Sequence, residues 1–207
     1  QFISGDQVDY KWEIPNAEPK QLPTTMRSSI KVLPPHLIIH LKRFEFDYTS
    51  FVQKKLNSRF EFPQKLNMKP YTLEGRPDKV RPAAEGDSKS EDDLHPDEYY
   101  EYELMGIVVH TGTCNSGHYY SFIKERDAKY KGEGQDHRRW FQFNDTRVTP
   151  FKEDLIEREC FGGAETYGGV ASTYQRSRNA FVLFYDRVPA KRAGSAAITD
   201  STNASEA

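Results

Sequence analysis

Four apolar runs of strand length, at residues 102–110, 118–123, 140–144 and 180–185, constrain this chain more than any other feature. Each is rich in Val, Ile, Phe, Tyr or Trp and too short for an ordinary helix, which is the pattern of β-strands. The first two are separated by the turn-rich residues 111–117, which makes them a hairpin in outline with a loop long enough to carry function. A fifth run, Leu37-Ile38-Ile39-His40-Leu41, follows Pro34-Pro35, and Phe60-Glu61-Phe62-Pro63 reads as a further extended piece stopped by proline. Thr149-Pro150 predicts a helix start, a capping residue followed by proline at the first helical position. Phe151, Leu155, Ile156 and Cys160 then share one face, and Gly162-Gly163 ends the run. Several strands and one helix predict an α+β fold built on an antiparallel sheet.

The remaining segments read differently. Residues 1–28 are polar, with Pro15, Pro19 and Pro23 interrupting any regular pattern. From Glu85 to Glu98 there are seven acidic residues against one lysine, and Leu94 is the only large aliphatic. Such a stretch buries too little apolar area to offset its ordering entropy, so residues 74–98 are expected to be a disordered insertion. Residues 189–207 are small and polar and predict a flexible tail. Over the 207 residues, 29 Lys and Arg stand against 31 Asp and Glu, which is not the basic excess of a nucleic-acid binder. No apolar run approaches the roughly 18–20 residues that span a bilayer. Two cysteines make neither a disulfide framework nor a four-cysteine metal site. Together these features predict an intracellular domain, cytoplasmic or nuclear, cut from a longer protein.

Chemistry has few candidates. His36, His95, His110 and His137 take the structural reading that a lone histidine usually deserves, and His40, inside an apolar run, reads as a core residue. His118 differs, because it follows Asn115-Ser116-Gly117 at the start of a strand, where its ring can project at a sheet end. Asn144 and Asp145 come 26 and 27 residues later, at the end of another strand. An imidazole base needs a partner on its second nitrogen to fix tautomer and orientation, and an amide or carboxylate supplies one. Spacing alone leaves the catalytic and the structural readings both open.

Longer strings carry more. Leu33-Pro34-Pro35-His36-Leu37-Ile38-Ile39-His40-Leu41-Lys42-Arg43-Phe44 resembles the "LPP-x-L-x-x-x-LKRF" box of the ubiquitin-specific proteases. Gly117-His118-Tyr119-Tyr120-Ser121, preceded by Gly106-Ile107-Val108-Val109-His110-Thr111-Gly112, resembles their histidine box. Trp140-Phe141-Gln142-Phe143-Asn144-Asp145 with Val148 resembles "W-x-x-F-N/D-D-x-x-V", and Asn179-Ala180-Phe181-Val182-Leu183-Phe184-Tyr185 resembles the closing strand. The boxes stand in the family's order, and Cys160-Phe161-Gly162-Gly163 is similar to its very large members.

The resemblance implies a papain-like ubiquitin-specific protease fold, with the palm antiparallel sheet and part of the fingers present and the thumb missing. Residues 1–28 would be a remnant of the fingers and residues 29–188 the palm. His118 matches the general base, Asn144 the residue that orients it, and Asp145 the adjacent acidic position. Gly112, Gly117 and Tyr119 match the region that binds the ubiquitin tail, where a diglycine needs a channel too narrow for other side chains. The implied reaction is hydrolysis of the isopeptide bond after the C-terminal glycine of ubiquitin, without a cofactor. Ubiquitin and ubiquitinated proteins are the implied partners, with neither nucleic acid nor membrane.

Two departures qualify that. Nothing here resembles the family's "G-N-T-C-Y-x-N" nucleophile box, so an N-terminal half of the catalytic domain is expected to be missing. The competing reading is a ubiquitin-binding or scaffold module that has lost its nucleophile. Cys114 shares a loop with His118 rather than facing it across a cleft, and Cys160 falls on the apolar face of the predicted helix. Trp12 and Pro15 stand where a zinc-binding cysteine pair would be, which predicts no metal there and fingers held by packing around Trp12.

Overall fold

The computed structural model describes residues 5–13, 18, 20–75, 95–126, 138–167 and 170–189. Its spine is β7 (Glu101–Gly112), flanked by β8 (Gly117–Lys124) and β13 (Asn179–Arg187). Beyond β8 lie β9 (Trp140–Asn144) and β10 (Arg147–Phe151); beyond β13 lies β3 (His36–His40). A short β6 (Lys65–Asn67) pairs with the first residues of β7, and every pairing in this seven-stranded sheet is antiparallel. Three two-stranded ladders stand apart from it: β1 (Asp6–Trp12) with β2 (Lys20–Met26), β4 (Phe44–Asp47) with β5 (Val52–Lys55), and β11 (Ala164–Tyr167) with β12 (Val170–Gln175). The four strand-length runs fall where the periodicity places them, but the hairpin loop is shorter than 111–117: Thr111 and Gly112 still pair with His118 and Gly117, which leaves 113–116 as the loop.

Burial along β7 shifts its phase in a way that alternation does not foretell. Tyr102 and Leu104 are buried, and so are Ile107 and Val109, an even pair followed by an odd one. The change falls where the register slips, Tyr185 facing Leu104 but Phe184 facing Gly106, so that Met105 is the extra residue of a β-bulge. A second slip makes Phe181 the extra residue of β13, between Ala180 facing Val109 and Val182 facing Val108. That bulge aims the Phe181 ring at Phe44 and Tyr119, with centroids 5.6 and 5.5 Å away, while Leu183 and Tyr185 stay in the core. Each fully buried side chain of this size is worth roughly 1.5–3 kcal/mol, so the core tolerates no one-residue slip that would turn one out.

The Leu41-Lys42-Arg43-Phe44 string acts as a rivet. Arg43 is buried and donates to the carbonyls of Ser58 (2.7 Å), Leu56 (3.2 Å) and Ala180 (3.4 Å), which binds the chain before β4 to the segment after β5 and to β13. Tyr185 on β13 donates to the carbonyl of Pro63 at 2.7 Å and holds the extended Phe60–Pro63 piece, which forms no strand.

Several expectations need correction. Thr149 and Pro150 do not begin a helix; they lie in β10, opposite Gln142 and Phe141. Because β10 is the sheet edge, the missing Pro150 N–H interrupts no inner ladder, and Phe151 stacks on Phe122 with ring centroids 3.9 Å apart. The helical part is a 3-10 turn at Glu153–Leu155 followed by α1 (Ile156–Cys160), whose Ile156 and Cys160 are buried on one face as the spacing predicts. Prolines do not prevent order near the N-terminus, since Pro23 sits inside β2 opposite Asp9. Trp12 is 55% exposed and meets Tyr10 edge-on at 6.3 Å, so the β1–β2 ladder is not packed around it. His40 is exposed rather than part of the core. Of the segment 74–98, Glu74 accepts hydrogen bonds from the Tyr100 hydroxyl (2.5 Å) and from His95 Nδ1 (2.9 Å), which brings the two ends together. Residues 76–94 and the tail 190–207, like His137 and Pro15, lie outside the described residues.

Candidate active site

The β7–β8 hairpin and the end of β9 bring the two sequence-distant residues together. Thr111 faces His118 across the hairpin, and Ser121 faces Phe143 on the next ladder, which carries the end of β9 alongside the start of β8. His118 shares its strand face with Tyr120 and the buried Phe122, so the ring stands where the core-facing side of the sheet opens to solvent. His118 Nε2 donates to Asn144 Oδ1 at 2.6 Å. An amide oxygen accepts only, so Nε2 carries a proton, and in the neutral ring it is then Nδ1 that keeps the lone pair with which a proton can be taken from a thiol. Asp145 is more peripheral. It begins the two-residue β9–β10 turn in the left-handed region (φ +52°), is 77% exposed, and brings Oδ2 to 3.9 Å from Nε2. Exposed pairs at that range contribute little, which makes Asn144 the principal partner.

Tyr120 lies beside the His118 ring, with centroids 6.4 Å apart, and burial pushes its phenol up to about 12. It is therefore a neutral wall for the site at physiological pH.

The loop over this end of the sheet is short and braced. Thr113 N–H donates to the Ser116 carbonyl at 2.7 Å, and Ser116 N–H to Thr113 Oγ1 at 3.3 Å. Gly112 adopts φ +108°, which a side chain resists, and a Cβ there would meet the Ser116 carbonyl oxygen at 2.5 Å. A Cβ on Gly117 would meet His110 Nε2 at 2.1 Å. His110 is therefore the floor of the loop: 4% exposed, edge-on to Phe44 at 5.1 Å and tilted against Tyr119 at 4.6 Å. Burial first, and then the Lys55 ammonium, hold its imidazole below the usual range, which keeps it neutral. Tyr119 is half exposed on the opposite strand face from His118.

The other histidines have their own partners. His36 meets Asp186 at 2.7 Å, and His95 meets Glu74 and stacks on Tyr99 at 3.8 Å. Among the described residues, His118 has Asn144 and Asp145 as hydrogen-bond and ion-pair partners, and neither cysteine. Cys160 is fully buried on α1, and its thiol is pushed well above the ordinary range by burial and the Glu159 charge. Cys114 lies on the loop and is partly exposed. A small disulfide reagent should therefore modify Cys114 quickly and Cys160 only on unfolding. Fast titration of both thiols in the folded chain would contradict the placement of α1.

Sequence reasoning missed Lys55 beneath the loop and the Phe44–Phe181 part of its floor. Phe44 ends a recognisable string, but Lys55 left no signal. No three His, Cys, Asp or Glu side chains among the described residues converge to hold a metal ion, and no helix among them is long and apolar enough to cross a membrane.

Comparison with known proteins bears on the family and the fold. The family model "Ubiquitin carboxyl-terminal hydrolase" matches residues 5–185. The chain is 37% identical over 197 residues to ubiquitin carboxyl-terminal hydrolase puf of Drosophila melanogaster, covering 81% of this chain and 5% of that protein. It is 36% identical over 209 residues to mouse ubiquitin carboxyl-terminal hydrolase 9X, covering 91% of this chain and 8% of that protein. Among solved structures, the SAGA Ubp8/Sgf11/Sus1/Sgf73 DUB module bound to ubiquitin aldehyde superposes with a TM-score of 0.56 at 26% identity, over 91% of this chain and 32% of the matched one. The chain thus spans a small part of its relatives' length, and its α+β sheet is a fragment of their protease fold. With a family-model match over residues 5–185 and relatives 36–37% identical over most of its length, the chain belongs to the ubiquitin carboxyl-terminal hydrolase family.

Proposed function

We propose that this chain is the histidine-bearing part of a thiol-dependent deubiquitinase, with the nucleophilic cysteine supplied by a segment upstream of Gln1. The observation that carries the reading is the 2.6 Å bond from His118 Nε2 to Asn144 Oδ1, which leaves Nδ1 free to act as a base. In that role Nδ1 takes the thiol proton, and the thiolate attacks the carbonyl of ubiquitin's terminal glycine. The imidazolium returns the proton to the departing lysine amine, and a water activated by the same ring then releases the acyl group. Asn144 keeps the ring in the correct tautomer throughout, and Asp145 adds a weak favourable field for the imidazolium. Gly112, Gly117 and Tyr119 border the path of the ubiquitin tail. The relative captured with ubiquitin aldehyde supports ubiquitin as the ligand, and ubiquitin conjugates in the cytoplasm or nucleus are the proposed substrates.

The test is a ubiquitin probe with a thiol-reactive C-terminus, applied to this chain and to the polypeptide extended upstream. The chain alone stays unlabelled, because a base must reach its thiol within roughly 2.6–3.2 Å. The extended polypeptide becomes labelled at an upstream cysteine. Labelling of Cys114 in the short chain would overturn the assignment of a missing nucleophile. An extended polypeptide that folds, binds ubiquitin and escapes labelling would instead establish the scaffold reading.

A further inference from the structure

Lys55 ends the β4–β5 ladder, and its ammonium reaches out of that hairpin to three backbone carbonyls. Nζ donates to His110 at 3.0 Å, to Gly112 at 3.4 Å, and to Ser177 in the turn before β13. An ammonium has three N–H donors, and here carbonyls take all of them; no carboxylate is among its partners in the described residues. Withdrawing a cation from water without a counter-ion is costly, and an apolar side chain would pack a hairpin against a sheet at lower cost. What the charge adds is a tether at one place. His110 and Gly112 are the last residues of β7 before the loop 113–116, and Gly112 is where the chain turns through a positive φ.

The surroundings give that tether something rigid to pull against. Phe44, on the strand paired with β5, packs on His110 and on Phe181, and Arg43 rivets the same hairpin to the carbonyls of Leu56, Ser58 and Ala180. The loop lacks comparable anchoring of its own, since its described bonds join Thr113 to Ser116 within the loop. Loss of solvent, and then the Arg43 charge, lower the ammonium to about 8, with Cys114 opposing that shift. The group thus remains mostly charged at neutral pH.

We infer that Lys55 is a positioning residue that fixes the loop 113–116 over the end of the sheet in the posture that receives the ubiquitin tail. This rests on the deubiquitinase reading above and deepens it. Lys55 has no bond to His118 or Asn144, so it acts on substrate capture rather than on proton transfer.

The experiment uses the polypeptide extended upstream, as wild type and as Lys55→Met, Lys55→Gln and Lys55→Arg. Lys55→Met should raise the Michaelis constant for a ubiquitin conjugate about tenfold, the scale of a charged hydrogen bond, with kcat changed no more than about twofold. Lys55→Arg should recover most of that loss. A merely destabilised protein would lose active fraction, and hence kcat, while keeping its Michaelis constant. Amide hydrogen exchange gives a readout independent of ubiquitin: Thr113 and Ser116 should exchange faster in Lys55→Met while the amides of 120–123 on β8 do not. Lys55→Gln, polar and close in length, carries both measurements if Lys55→Met does not fold. An inactive wild type would refute the deubiquitinase reading, and with it the substrate part of this inference. An active wild type whose variants keep both Michaelis constant and loop exchange would overturn the role of Lys55 alone.

Discussion

His118→Ala, made in the polypeptide extended upstream, should lower turnover of a ubiquitin conjugate by about 10⁴-fold, the upper end of what a positioned general base contributes. The upper end applies because base and nucleophile act as one unit: without Nδ1 the thiol is neither deprotonated nor able to pass its proton to the leaving amine. Binding of ubiquitin should change little, since His118 lies at the reacting end of the tail rather than along the folded body of the ligand. Asn144→Ala should cost distinctly less. It removes the 2.6 Å partner that selects the tautomer, but leaves an imidazole that still samples the productive orientation. Asp145→Asn should cost least, no more than about fivefold, because a 77% exposed carboxylate at 3.9 Å is largely screened. The order His118, Asn144, Asp145 is what single-turnover kinetics would check. An Asp145 effect exceeding that of Asn144 would mean that the carboxylate, not the amide, orients the ring.

How far this site could be read beforehand depended on whether its parts leave marks in residue identity. His118 and Asn144 do, because each sits in a string of aromatic and glycine neighbours whose order is recognisable, and the sheet then brings them together across 26 positions. The strands that carry them were legible by period and length. The bulges at Met105 and Phe181 were not, because an inserted residue changes which side chains are buried without changing which are apolar. Pro150 shows a different failure. Threonine followed by proline suits a helix start, but it equally suits an edge strand, and only the pairing of β10 with β9 decides between them. Trp12 stands where a zinc-binding cysteine would be, which predicts packing around it in place of a metal, yet a two-stranded ladder standing apart from the main sheet leaves it half exposed. Lys55 was invisible for the plainest reason: its partners are main-chain carbonyls, which every residue possesses.

Gly117→Ala should destabilise the chain and inactivate the extended polypeptide together. The added methyl would fall 2.1 Å from His110 Nε2, 2.7 Å from His110 Cε1 and 2.6 Å from the Thr111 carbonyl oxygen. None of these can move freely. Thr111 is in the ladder opposite His118, and the His110 ring is wedged between Phe44 and Tyr119 with almost no exposed surface. Overpacking of this kind costs about 1–3 kcal/mol, since the strain spreads into neighbouring rotamers and backbone. For a chain of this size that lowers Tm by roughly 3–10 °C. His118 is the next residue of the displaced strand, so the shift that relieves the clash also moves the proposed base relative to Asn144, and misplacement of that order is expensive in rate. Adding His110→Ala opens room for the methyl, so Gly117→Ala/His110→Ala should be more stable than the sum of the two single losses, a positive coupling that a double-mutant cycle reads directly. The Thr111 carbonyl remains in the way, which keeps the recovery partial. A Gly117→Ala chain that melts with the wild type would show that β8 enters the site with room to spare, and that the glycine serves the ubiquitin tail alone.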